Sequence, residues 1–192
     1  MAEGDKPRNE RIYLRGNRAN LGDEAPRGWL TIFSGGKFEK GSGRLELAEK
    51  IAAKDNPLTA RVMVNRMWQG HFGEGIVRST SNFGRLGERP SHPELLDYLA
   101  SRFIEQGWSI KKIHREILLS NTYKQSADNT KAIMVADPEN RFYTRMNRRR
   151  MDLEQMRDSL LMVSGKLDLK QGGPSVDIVD NVNQPRRTLY GF

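Results

Sequence analysis

Residues 56–125 read NPLTARVMVNRMWQGHFGEGIVRSTSNFGRLGERPSHPELLDYLASRFIEQGWSIKKIHREILLSNTYKQ. Two of the chain's three Trp and all three of its His fall in this stretch. Asn56-Pro57 opens it. Asn caps a helix by accepting from its first free N–H groups, and Pro suits the first turn, so a helix is predicted from about Leu58 to His71. Leu58, Val62, Asn65, Gln69 and Phe72 share one stripe, with Met63 and Met67 beside it, a breadth that suits a helix touched on more than one side. Gly70 to Gly87 holds five Gly around Ile76-Val77 and reads as an irregular connection with at most one short strand. Ser91-His92-Pro93-Glu94 then reads as a capping box, Ser91 accepting from the Glu94 N–H and the Glu94 carboxylate reaching back. The helix it starts runs to about Gln106, with Leu95, Leu96, Leu99, Ala100, Phe103 and Ile104 on one face and Gly107 as a left-handed stop. Ser109 caps the next helix, Trp108 staples onto Ile113, and Ile110, Ile113, Ile117 and Leu118 form its buried stripe. So short a connection makes the two helices a hairpin or corner.

Outward from this framework the signals weaken. Met1 to Glu10 is polar, and Ile12 to Gly16 is a strand-like run closed by Gly. Asn17 to Gly28, rich in Gly, Pro and charge, reads as an extended arm that WLTIF at 29–33 docks on the main body. Ser34 to Gly43 has four Gly in ten residues, but no Walker Lys-Ser/Thr pair follows. Arg44 to Lys54 is a predicted helix with Leu45, Ala48, Ile51 and Ala52 on one face. Beyond the framework, Asn121 to Thr130 reads as a polar loop and Lys131 to Ala136 as a short helix ended by Asp137-Pro138. Leu153, Met156, Leu160 and Val163 form the apolar stripe of another helix, stopped by Gly165, with Arg150, Glu154 and Arg157 spaced to pair on its flank. A strand is predicted at Ser175 to Val179, and TLYGF at 188–192 is apolar with no closing element, as in a truncated chain. The expected class is mainly α: an irregular multi-helix domain with an extended N-terminal arm and a few short strands. Residues 1–43 form the arm and docking segment, residues 44–192 the helical domain.

The 192 residues suffice to bury a core without a disulfide or metal staple. There is no Cys, which excludes disulfide frameworks, zinc-thiolate and iron–sulfur sites, c-type haem attachment and cysteine nucleophiles within these residues. A net charge of +8 suits an anionic partner such as nucleic acid, an anionic lipid surface or an acidic polysaccharide; a merely soluble basic surface is the plain alternative. No apolar run approaches the roughly 20 residues of a membrane span. The first fifteen residues are too charged for a signal peptide.

No motif specifies a reaction. His71, His92 and His114 lack the i, i+4 spacing of helical metal sites, so no metal ligands are assigned. Asp97, Glu105, Glu116, Asp152, Glu154 and Asp158 fall on helix faces as charged partners do, and no G-x-S-x-G elbow is present. Within the glycine-rich connection, His71 with Glu74 or Arg78 is the candidate catalytic set. Arg145, Arg148, Arg149 and Arg150 are the candidate ligand-binding set, because guanidinium groups grip phosphate, sulfate or carboxylate through paired donors. Trp68, with Tyr123 and Tyr143, could add stacking. The competing reading, which we favour, is an Arg–carboxylate lattice that fastens helices together.

Ten blocks carry a resemblance. They are YLRG at 13–16, PRG at 26–28, GSGRLELA at 41–48, NPLTARVMVNRMWQGHFGEGIV at 56–77, FG at 83–84 and PSHPELLDYLASRF at 90–103. GWSIKKIHREILLSNTYKQS at 107–126, DPENR at 137–141, NRRRMDLEQMRDSLLMVSGKLD at 147–168 and GGPSV at 172–176 complete them. In this order they resemble the planctomycete domain of unknown function that closes large cytochrome-c-associated (PSCyt-type) multidomain proteins. The resemblance implies an exported, extracytoplasmic protein, periplasmic or at the cell surface, whose partners include other domains of the same parent. It implies haem only for an upstream domain that this chain lacks, so no cofactor is expected here. It also implies a chain that continues past a segment like RRTLYGF at 186–192, and a genomic setting of polysaccharide or sulfated-glycan breakdown. It carries no catalytic residue onto named positions. The expected function is an accessory or interaction module of a larger exported protein that holds an anionic glycan. The alternatives are a hydrolase-like enzyme of polysaccharide breakdown and, resting on charge alone, a nucleic-acid-binding domain.

Overall fold

Helix α2 (Thr59–Phe72) carries the centre of the core in the computed structural model, which describes residues 7–181 and 183–191. Its N-cap is Leu58, two residues later than Asn56-Pro57 suggests, and Leu58 makes no side-chain capping bond. Asn56 instead holds the entry to the helix, its side-chain oxygen accepting from the N–H groups of Leu58 (2.9 Å) and Thr59 (3.4 Å). The buried face is Ala60, Val64, Met67, Trp68 and Phe72 with Asn65, rotated from the Leu58–Val62–Gln69 stripe. The reason is that α2 is apolar on several sides, and the neighbours it meets choose among them. Those neighbours are α3 (Pro93–Glu105), which buries Leu96, Leu99, Ala100 and Phe103, and α4 (Ile110–Leu119), which buries Ile113 and Ile117. Each of the Leu, Ile and Phe side chains among them, fully removed from water, contributes about 1.5–3 kcal/mol.

The α3–α4 corner is as tight as its sequence suggests. Gly107 (φ +70°) and Trp108 (φ +61°) both turn left-handed, and the Trp108 ring packs on Phe103 at 5.1 Å. Two expected caps are not made. Helix α3 begins at Pro93 with His92 as N-cap, so Ser91 lies one residue too early for a capping box and its hydroxyl donates to the Ile76 carbonyl instead. Ser109 is the N-cap of α4, but its side chain makes no capping bond; its carbonyl accepts the first N–H groups.

Residues 1–146 form one compact unit and 147–192 a second. In the first, β1 (Glu10–Tyr13) and β2 (Leu21–Ala25) pair antiparallel, so the segment read as a plain extended arm folds back on itself. Asn17 helps to turn it, its side chain accepting from the Ala19 N–H at 2.9 Å. Helix α1 (Arg44–Ala52) follows, with Leu45 and Ile51 exposed rather than covered. The segment read as a polar loop contains α5 (Asn121–Lys124), which the Ser120 hydroxyl caps. Helix α6 (Lys131–Ala136) sits where it was expected, capped by Thr130.

The second unit contains α7 (Leu153–Val163), started by a capping box between Asp152 and Gln155 and ended by Gly165 at φ +71°. The strand expected at 175–179 is absent among the described residues; single bridges join Val176 to Gly191 and Asp168 to Arg186. Polar contacts hold this unit together. Arg157 donates to the Arg186 carbonyl and to Thr188, and Asp158 accepts from both the N–H and the hydroxyl of Thr188 at 2.7 Å. Thr188 is its one buried residue among those described. The molecule is thus mainly helical, and among the described residues no helix is long and apolar enough to cross a membrane.

Candidate functional site

The glycine-rich connection after α2 is built around Asn65. This side chain is wholly buried, donates to the Val77 carbonyl at 3.0 Å and accepts from the Val77 N–H at 2.8 Å. A single amide thereby replaces the strand partner that Val77 lacks, as a buried backbone requires. Gly75 must be Gly for this to work, since a Cβ there would stand 2.5 Å from the Val77 carbonyl oxygen and 2.7 Å from the Asn65 amide nitrogen. Ser91 adds two bonds to the Ile76 carbonyl, and Ile76 and Val77 point into the core. Gly75 therefore serves close packing, as does Gly87, where a Cβ would run into the Asn82 carbonyl oxygen, whereas a Cβ at Gly70 would meet nothing within 4 Å.

Within the connection, directly after Val77, Arg78 reaches across to residues 137–145, donating to the Glu139 carboxylate at 3.0 Å and to its carbonyl at 2.9 Å. Arg141 pairs with Glu88 at 3.3 Å and lies 3.9 Å from Glu139. The turn itself is a closed polar knot. Asp137 accepts from the N–H groups of Arg141 and Phe142, and Asn140, at φ +52°, donates to the Arg145 carbonyl. Burial pushes the Asp137 carboxyl up, but those N–H groups, the Thr144 hydroxyl and the Arg145 charge together outweigh it and hold the group below the usual range. The Arg145 guanidinium donates to the carbonyls of Asp137 and Pro138, both at 2.9 Å. Arg145 is thus spent within its own turn.

What the turn delivers is Tyr143, held left-handed at φ +51° with its ring in the core. Its hydroxyl accepts from the Trp68 indole N–H at 2.8 Å. Burial pushes the phenol up; the Trp68 bond and the Arg78 charge oppose that, and the Glu74 charge adds to it. Glu74 and Arg78 therefore both act on Tyr143, while His71 goes elsewhere. Its Nε2 lies 2.7 Å from Nδ1 of His114 on α4, and Tyr123 packs edge-on against its ring. Burial first, and then the neighbouring His114, hold His71 below its ordinary value. Among the described residues no hydrogen bond or ion pair joins His71 to Glu74 or Arg78. No group of three or more His, Cys, Asp or Glu among them could hold a metal.

Trp68 is 4% exposed, one face stacked on Phe72 at 4.2 Å and Tyr143 against it, so it offers no open ring to a ligand. Arg148, Arg149 and Arg150 are exposed at the start of the second unit, ahead of α7. Tyr143, Asn65 and His114 are the residues that sequence reasoning did not single out as a group. A polar Asn between Val62 and Phe72 in a mostly apolar stripe was the available signal for Asn65. His71 and His114 stand 43 positions apart and meet only because α2 packs on α4.

No curated protein and no solved structure matches this chain. Residues 43–192 match the family described as "protein of unknown function (DUF1553)", and this span takes in every helix from α1 to α7. The chain belongs to the DUF1553 family of proteins of unknown function.

Proposed function

We propose that the chain is a noncatalytic accessory module of a larger exported protein, docking through uncovered apolar faces onto other domains of its parent and holding an anionic glycan on its basic surface. The observation that carries the docking is α7. Its stripe of Leu153, Met156, Leu160 and Val163 is amphipathic in the way that normally faces a core, yet Leu160 is 66% and Val163 89% exposed. Exposed apolar patches of this kind mark interaction surfaces. Leu45 and Ile51 of α1 repeat the pattern. The resemblance to PSCyt-type proteins, in which such a domain comes last, supports the same reading, as does the net charge of +8 for the glycan. A hydrolytic site has less support, because His71 is engaged by His114, Arg78 by Glu139 and Arg145 by backbone carbonyls of its own turn.

The test is a Leu153→Glu/Leu160→Glu double variant. Both side chains are exposed, so its thermal stability should stay within about 0.5 kcal/mol of the wild type. Its association with the remainder of the parent protein, supplied in trans, should weaken at least tenfold. Unchanged association would end the docking reading.

A further inference from the structure

Trp29 stands between two cavities in the first unit. One, of about 400 Å³, lies between the 35–40 loop and α1, where Phe38, Lys37, Lys40, Glu49 and Lys50 join Trp29 in its lining. The other, of about 210 Å³, is lined by Phe33 and Asp55 and again by Trp29 and Lys50. The two therefore meet at the indole and the Lys50 side chain. The larger alone has the volume of a small-ligand site.

The walls are fixed before any ligand arrives. The Trp29 backbone N–H donates to the Gly36 carbonyl at 2.8 Å and the Phe38 backbone N–H to the Arg27 carbonyl at 2.9 Å. Gly28 allows this closure, for a Cβ there would stand 2.5 Å from the Gly36 carbonyl oxygen. Gly43, left-handed at φ +79°, leaves room for Phe38. On the facing wall, the Asn56 side-chain amide donates to the carbonyls of Lys50 and Ile51, and the Thr59 hydroxyl donates to Ile51. A backbone so held pays little ordering entropy on binding, which leaves that cost to the lysine side chains.

Its electrostatics are unfinished. Glu46 is committed to the N–H groups of Glu39 and Lys40. By contrast, among the described residues no ion pair or side-chain hydrogen bond engages the ammonium groups of Lys37, Lys40 and Lys50, or the carboxylates of Glu49 and Asp55. The lining thus offers an aromatic platform, three cations and two acceptors for hydroxyl donors. A pyranose ring has an apolar C–H face and a rim of hydroxyls, and an acidic sugar adds carboxylate or sulfate. Nucleic-acid bases also stack on aromatic rings, but a phosphate backbone would meet Glu49 and Asp55 with no donors to give them.

We propose that this double cavity binds an acidic oligosaccharide, one sugar ring lying on Trp29 and its anionic groups on Lys37, Lys40 and Lys50. The proposal rests on the reading of the chain as a glycan-holding module and gives that role a site built from residues other than the arginines at 145–150.

Calorimetry of the full chain with a chondroitin 4-sulfate hexasaccharide tests it, with cellohexaose and a 20-nucleotide oligo-dT as comparisons. The sulfated hexasaccharide should bind, and Trp29→Ala should weaken it at least tenfold. Lys37→Glu/Lys50→Glu, which changes only exposed side chains, should do the same with an unchanged amide NMR spectrum. Arg148→Ala/Arg149→Ala/Arg150→Ala should stay within twofold. If the arginine variant loses binding while the other two keep it, the cavity is the wrong site and the glycan-holding role stands. If the wild type binds no hexasaccharide, both fail. Cellohexaose binding as tightly would remove the acidic requirement, and oligo-dT binding as tightly with the same dependence on Trp29 would overturn the saccharide class.

Discussion

Asn65 and His71 lie six positions apart on α2 and show two different uses of a polar group at the edge of a core. Asn65 makes the glycine-rich connection possible, because its amide supplies both partners of the Val77 backbone in a site that water does not reach. Asn65→Ala leaves a buried N–H and a buried carbonyl unpaired, each worth about 1–3 kcal/mol. Urea denaturation should therefore show a loss of about 2–6 kcal/mol; a loss under about 0.5 kcal/mol would mean that the connection holds itself. His71 instead couples stability to pH. Its folded pKa lies below the ordinary 6.5, so the unfolded chain takes up the proton more readily. Its contribution is complete above pH 6.5 and shrinks as pH falls from there toward the folded value. The stability of the wild type should decline over that window, and His71→Gln should flatten the decline. A curve of the same shape in the variant would assign the effect to other groups.

At the scale of elements, helix starts were legible where the capping residue had one job and misleading where it had a choice. Asn56 has no competing partner for its oxygen and, although Leu58 is the N-cap, still accepts from the N–H groups of Leu58 and Thr59 at the start of α2. Ser91 has one, the Ile76 carbonyl brought beside it by the connection, and takes it. Ser109 occupies the N-cap position without using its hydroxyl there. Thermal melts should separate these cases: Asn56→Ala should cost about 1 kcal/mol, and Ser109→Ala a few tenths at most. Equal losses would show that Ser109 caps in solution. The N-terminal hairpin was hidden for a different reason. No residue of β1 is buried, so there is no buried face to impose an alternating pattern, and only the turn at Asn17 announces it. For α2, apolar side chains on several sides left its buried face undetermined until α3 and α4 were in place.

For the molecule as a whole, the two units differ in what holds them. Residues 1–146 enclose a continuous apolar core in which Val64, Phe72 and Ile113 have no exposed surface. Residues 147–192 rely on Arg157, Asp158 and Thr188, with the apolar stripe of α7 open to solvent. Polar bonds near water contribute only about 0.5–1.5 kcal/mol each, so the second unit has little to resist local opening. Sequence periodicity could not distinguish the two, because Leu153–Met156–Leu160 is spaced like Leu96–Leu99–Phe103; only packing separates a stripe that finds a partner from one that does not. Hydrogen exchange should read the difference directly. Amides of α2, α3 and α4 should exchange only through global unfolding, while those of α7 should exchange through local opening. On the isolated chain the expected gap in protection is at least a hundredfold, and the proposed docking predicts that it narrows when a bound partner domain covers α7. Equal protection of α7 and α2 in the isolated chain would show that the stripe is already buried in solution and would remove the main support for the docking role.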